Sequence, residues 1–140
     1  MDNFKLENLN HKHQNKFLEF TDKFIGQNYF NKDSFTKQIQ LSSKDNLNCS
    51  FVLENETKNL IGIRLAYAPG TWSNQINSKY INMCGLDVMS VAYFKSLFID
   101  PSYQKRGLGS LLSNKSIEIL KKMGATHILA HSWVESPNNS

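Results

Sequence analysis

Leu97-Phe98-Ile99-Asp100-Pro101-Ser102-Tyr103-Gln104-Lys105-Arg106-Gly107-Leu108-Gly109-Ser110-Leu111-Leu112 carries an apolar run through an Asp-Pro turn into two cations and two glycines. An amphipathic segment follows and runs to Met123. The apolar run predicts a strand from about Val91 to Ile99, stopped by Asp100-Pro101. In the segment after Gly107, the residues Leu108, Leu111, Leu112, Ile119, Leu120 and Met123 predict one helical stripe, which Gly124 terminates. The first N–H groups of such a helix lack internal partners, and its dipole makes that end partly positive. Glycine lets the backbone approach an anion closely because no Cβ intervenes. The junction therefore predicts a backbone-lined cradle for phosphate groups.

Working outward, Thr126 to Val134 reads as a further strand. A strand, a helix and a strand at this spacing predict a parallel pair joined by a right-handed crossover. Upstream, Phe4-Lys5-Leu6 predicts a short strand, and the apolar spacing from Asn10 to about Tyr29 predicts a helix. Asp33-Ser34 offers a cap for a second short helix through Ile39 and Leu41. Leu47 to Leu53 and Leu60 to Ala68 predict a hairpin across the polar turn 54–59, and Pro69-Gly70 ends its second strand. The stretch from Trp72 to Asp87 has no clear period; its length suits a cover over a site. The expected fold class is mixed α/β (α+β), a mostly antiparallel sheet flanked by helices.

The 140 residues suit one domain with a sizeable core. Apolar content of 40% and charged content of 20% argue for a globular chain rather than a disordered one. No apolar run reaches the roughly 20 residues that span a bilayer. Cys49 and Cys84 form no zinc-type spacing, and the N-terminus does not read as a signal peptide. The expected compartment is the cytoplasm. Net charge is +4, but the Lys and Arg residues are scattered, which argues against a nucleic-acid partner.

Three phosphate-binding patterns separate cleanly. No GxxxxGK-Ser/Thr run exists, and Leu112 stands where the third glycine of GxGxxG would be. Gln104-Lys105-Arg106-Gly107-Leu108-Gly109 fits the remaining pattern, Gln/Arg-x-x-Gly-x-Gly/Ala after a strand and short turn. With its flanking strand, helix and second strand, the chain from about Val91 to Ser140 resembles the GNAT superfamily of acyl-CoA-dependent N-acyltransferases. The resemblance implies acetyl-CoA as cosubstrate, with Leu97, Phe98 and Ile99 offering backbone groups to the pantetheine arm. It implies a pyrophosphate cradle at Lys105, Arg106, Gly107, Leu108, Gly109 and Ser110, preceded by Gln104. Asn138 or Asn139 matches the asparagine that contacts the cofactor in relatives. The implied reaction is direct attack of a primary amine on the thioester, with a small metabolite preferred over a protein as acceptor.

The general base is left open. His131 stands where some relatives carry a catalytic Glu, and Glu135 lies just beyond; a water chain is the third alternative. His127 and His131 share a strand face but lack a third ligand, so no metal site is expected. His11-Lys12-His13 reads as surface. Trp72, Tyr80 and Trp133 are candidates for an acceptor pocket or for core, and Cys84 for the acceptor border. The resemblance also implies a further helix and two strands beyond Ser140, the helix often carrying an acidic Tyr. The expectation is therefore a C-terminally incomplete single domain over residues 1–140, or one whose sheet a second copy completes as a homodimer. A non-catalytic acyl-CoA-binding module is the main alternative, and a basic nucleic-acid-binding domain the weaker one.

Overall fold

The computed structural model describes residues 3–73, 81 and 83–130. Its strands are β1 (Lys5–Asn8), β2 (Ser43–Lys44), β3 (Leu47–Asn48), β4 (Phe51–Glu54), β5 (Leu60–Tyr67), β6 (Val91–Ile99) and β7 (His127–Ala130). One sheet has the order β1-β4-β5-β6-β7, and β2 pairs with β3 alone. All pairs are antiparallel except β6 with β7, which runs parallel from Val91 opposite His127 to Phe94 opposite Ala130. The predicted mixed sheet is present. The predicted strand 47–53 is two strands, β3 and β4, broken at Cys49-Ser50. The β4–β5 turn forms because the Asn55 side-chain oxygen accepts from the N–H groups of Thr57 and Asn59.

Helices α1 (Gln14–Phe24) and α2 (Lys32–Leu41) cover one face of the sheet, and α3 (Leu108–Lys122) packs against the other. On the first face, Phe17, Phe20, Phe30 and Phe35 bury against Val52, Ile63 and Leu65. Each such side chain contributes roughly 1.5–3 kcal/mol on leaving water. The cap of α2 is Asn31 rather than Asp33-Ser34: Asn31 Oδ1 accepts from Ser34 N–H, and Ser34 Oγ accepts from Asn31 N–H. Asp33 instead occupies the first turn. On the second face, Leu108, Leu112 and Leu120 are buried, but Leu111 is not; it is 45% exposed. At 100° per residue Leu111 falls well off the stripe centred on Leu112 and Ile119. Ser116 takes an inward place instead, donating to the Cys49 carbonyl at 2.7 Å.

The register of β5 against β6 shifts between Leu65, opposite Ser96, and Ala66, opposite Phe94, so Lys95 is the extra residue of a bulge. Across β5 from that bulge, β4 has already begun at Phe51, and side chains finish the edge. Ala66 N–H donates to Ser50 Oγ at 2.9 Å, and the Ala66 carbonyl accepts from Gln38, Ser42 and Ser50. These buried bonds fix β5 where the bulge needs a rigid partner.

His13 is buried, contrary to the surface reading of His11-Lys12-His13. Its Nδ1 accepts from Asn10 N–H at 3.1 Å, which leaves Nε2–H to donate to Glu7 at 3.0 Å. That arrangement needs the neutral ring, and burial holds the His13 pKa below 6.5 despite Glu7. Hydrogen bonds from Lys5 and Lys12 hold Glu7 down at about 2. Both shifts have the same sign for stability: the unfolded chain takes up protons before the folded one does. Stability is therefore expected to be full above pH 6.5 and to fall below it through His13. It falls again between pH 4.5 and about 2 through Glu7. One proton gives a slope of up to about 1.4 kcal/mol per pH unit. Urea midpoints from pH 8 to 5 check the first limb, and His13→Gln should flatten it.

Candidate functional site

The α3 N-terminus lies at the far end of β6. Ile99 ends the strand, and Asp100 caps the short turn Pro101–Tyr103 by accepting from Ser102 N–H at 2.9 Å. Gln104 Nε2 then donates to the Ile99 carbonyl at 3.1 Å, folding the loop back on the strand. The loop reverses through two left-handed residues, Lys105 at φ 65° and Gly107 at φ 76°. Gly107 is the N-cap of α3 and supplies no side-chain hydrogen bond, unlike the Asn31 cap of α2. Helix geometry leaves the N–H groups of Leu108, Gly109 and Ser110 without intrahelical carbonyls.

Space is available at this end: a Cβ on Gly107 would meet no atom within 4 Å. A Cβ on Gly109 would reach Leu97 Cδ2 at 3.4 Å, an ordinary contact, so an alanine would fit there as well. The donors, the dipole and the open approach fit a pyrophosphate. The Arg106 guanidinium lies over the Tyr103 ring at 5.2 Å, and Lys105 is exposed. The sequence-predicted Gln104, Lys105, Arg106, Gly107, Leu108, Gly109 and Ser110 thus gather in one loop and first turn, next to Leu97 on β6.

Along β6, the described pairing with β7 runs only from Val91 to Phe94. From Ser96 to Ile99 the strand pairs with β5, and among the described residues it has no partner on its other edge. Alternate residues of that edge offer N–H and C=O groups outward, which an amide-bearing arm can use as an added strand would. Leu97 is 41% exposed there. Phe98 points to the opposite face, stacked on Phe24 with centroids 5.8 Å apart. Its side chain is α1 contact, and only its backbone belongs to the edge.

Under the α3 face, Arg64 ties β5 to the helix. Its guanidinium sits 3.8 Å from the Phe94 ring centroid, and Nε–H donates to Ser113 Oγ at 3.2 Å. Burial pushes its pKa down to about 10, so it stays charged at neutral pH. On the opposite face, near the bulge, Tyr67 and Tyr93 stack at 5.7 Å, and Trp72 lies beneath Tyr93 at 5.9 Å. Burial first, then the phenols of Tyr67 and Tyr29, push the Tyr93 hydroxyl up. The Lys95 ammonium rests over Phe30 at 5.0 Å and Tyr67 at 5.5 Å.

Trp72 is fully buried core, not an open pocket wall. Cys84 is exposed, and the buried Cys49 thiol is pushed up to about 12 by desolvation, beyond use as a nucleophile. His127 is exposed at the start of β7. The candidate bases His131 and Glu135, the cofactor asparagine at Asn138 or Asn139, and the aromatics Tyr80 and Trp133 lie outside the described residues. Sequence reasoning named Tyr93, Lys95 and Ser96 only as the polar residues of this strand, and it did not single out Arg64 or Tyr67. The alternation of β5 and β6 was the available signal, but the bulge resets it by one residue.

Solved structures with a similar fold include several N-acetyltransferases. An aminoglycoside N-acetyltransferase AAC(6')-Iy, solved in complex with CoA, is similar at TM-score 0.69 and 16% identity, over 96% of this chain and 80% of that one. Aminoglycoside antibiotic 6'-N-acetyltransferase AAC(6')-Ih from Acinetobacter baumannii is similar at TM-score 0.68 and 14% identity, over 96% and 82%. Glucosamine-6-phosphate N-acetyltransferase from Arabidopsis thaliana gives TM-score 0.62 and 18% identity, over 95% and 84%. No curated protein sequence gives a significant match. At these identities the structures show the shared fold. The sequence itself matches the acetyltransferase (GNAT) family model over residues 13–140, which takes in the cradle, the bulged strand and both faces of the sheet. The chain belongs to the GNAT acetyltransferase family.

Proposed function

We propose that this chain transfers an acetyl group from acetyl-CoA to a primary amine of a small molecule by direct attack on the thioester. The observation that carries the reading is the α3 N-terminus, capped only by Gly107 at φ 76° and set beside the stretch of β6 that, among the described residues, has no strand on its outer edge. Acetyl-CoA supplies the activated acyl group. The N–H groups of Leu108, Gly109 and Ser110 hold the pyrophosphate, and the β6 edge from Lys95 to Ile99 orients the pantetheine amides. A backbone N–H near the bulge faces the thioester carbonyl and stabilises the negative charge that develops on its oxygen. Orientation of the amine against the thioester supplies much of the rate, since no covalent enzyme intermediate is required. The amine must be neutral to attack; His131 and Glu135 are the proposed proton acceptors, each alone or through water.

A thiol-release assay with acetyl-CoA and a panel of primary amines tests the reading. Amine-dependent release is expected. Acetyl-CoA binding without release from any amine favours the non-catalytic acyl-CoA-binding module. Salt-dependent binding to nucleic acid, with no shift of melting temperature by CoA, would overturn both.

A further inference from the structure

Resting on the acetyltransfer reading and deepening it, we infer that the acceptor is a primary amine bearing its own carboxylate or phosphate, which the Lys95 ammonium holds. The direction of approach follows from packing. One face of the sheet near the reacting end is filled by α3, through Ser113 on Arg64 and through Leu120 against Ala66 and Ala92. The acceptor therefore reaches the thioester from the other face, where the bulge turns Lys95 over Phe30 and Tyr67. Lys95 is exposed there, and no described carboxylate lies within 4 Å of its ammonium. Lys5, Lys12 and Lys16, by contrast, each pair with Glu7 or Glu54.

Among the described residues, the chain bordering this face lacks acids: residues 25–32 and 69–73 contain no Asp or Glu. The acids flanking them are engaged elsewhere: Asp22 accepts from Asn28 N–H, and Asp87 accepts from Met89 N–H. Asp33 sits in the first turn of α2, and Glu135 is the single acid of residues 131–140. A polycationic acceptor needs a carboxylate for each extra ammonium it leaves in a partly dehydrated site. Here it meets a fixed cation, whose repulsion rejects it. An acceptor with one amine and one anion finds the opposite: Lys95 pairs with the anion. The same positive charge disfavours protonation of the amine that must attack.

The test uses paired acceptors on the full chain in the thiol-release assay: amino acids against their amides, an aminosugar phosphate against the free aminosugar, and a polyamine. The anion-bearing member of at least one pair is expected to show a KM at least tenfold lower, and which pair responds separates carboxylate from phosphate. Lys95→Gln should bring that KM ratio to near one, Lys95→Arg should restore it, and Lys95→Glu should turn preference toward the polyamine. Ratios within one preparation do not depend on how much of a variant is folded. A wild-type preference for the polyamine or the neutral amine, or a ratio untouched by Lys95→Gln, overturns this inference and leaves acetyltransfer standing. Absence of thiol release with every amine overturns the acetyltransfer reading, and the inference falls with it.

Discussion

Gly107→Val is expected to weaken acetyl-CoA binding at least tenfold, whereas Lys105→Ala changes it about threefold or less. The difference is one of backbone against side chain. Gly107 holds φ 76° as the N-cap of α3, and a β-branched residue is a genuine outlier in that region. An L-residue there costs roughly 1–2 kcal/mol, and tenfold in affinity corresponds to about 1.4 kcal/mol. Nothing lies within 4 Å of a Cβ at this position, so valine meets no clash that would unfold the protein. The loop relaxes instead, and relaxation turns the N–H groups of Leu108, Gly109 and Ser110 away from a common point. Lys105 also has positive φ, but alanine inherits the same backbone and loses only an exposed charge. Calorimetric titration with acetyl-CoA, beside circular dichroism to confirm the fold, measures both. Equal and unchanged affinities would remove the cradle from the argument.

The cradle was legible in the sequence because its chemistry is backbone chemistry. Gly107 and Gly109 are written as letters, and the amphipathic run to Met123 says that a helix follows them. The proposed acceptor side is written differently. Tyr67 and Tyr93 look like ordinary strand aromatics until the sheet stacks them at 5.7 Å. The bulge that turns Lys95 toward them has no residue of its own to announce it; it follows from the pairing of β5 with β6 and from Ser50 and Gln38 holding Ala66 on the far side. His13 was misread for a related reason. A histidine beside Lys12 looks solvated, and only the Asn10 N–H and Glu7 contacts, made by neighbouring turns and β1, explain a neutral buried ring. Local pattern thus reached the elements and the Gly107–Gly109 turn, and stopped where the arrangement depends on which strands lie side by side.

Trp72→Ala is expected to be the most destabilising single change near the acceptor side, by about 3–5 kcal/mol, a fall in melting temperature on the order of 10–20 °C. Trp72 is fully buried among Tyr67, Ile81, Val91 and Tyr93. Its indole N–H donates to the Val91 carbonyl at 2.7 Å, a carbonyl that Gly70 N–H also uses at 3.1 Å. Alanine leaves a cavity under the two stacked tyrosines, but the remaining Gly70 bond keeps the Val91 carbonyl paired. The damage should be local in function as well. Val91 and Ile99 are opposite ends of β6, and the proposed phosphate cradle adjoins the Ile99 end. Below its lowered melting temperature, Trp72→Ala should therefore bind acetyl-CoA within about twofold of wild type, while the KM for the amine rises severalfold as Tyr67 and Tyr93 lose their floor. Trp72→Phe, which refills most of the volume, should recover much of both stability and KM. If acetyl-CoA affinity instead collapses together with amine KM in a folded Trp72→Ala protein, the two ends of β6 are not independent. The division between a backbone cradle and a side-chain-built acceptor face would then have to be abandoned.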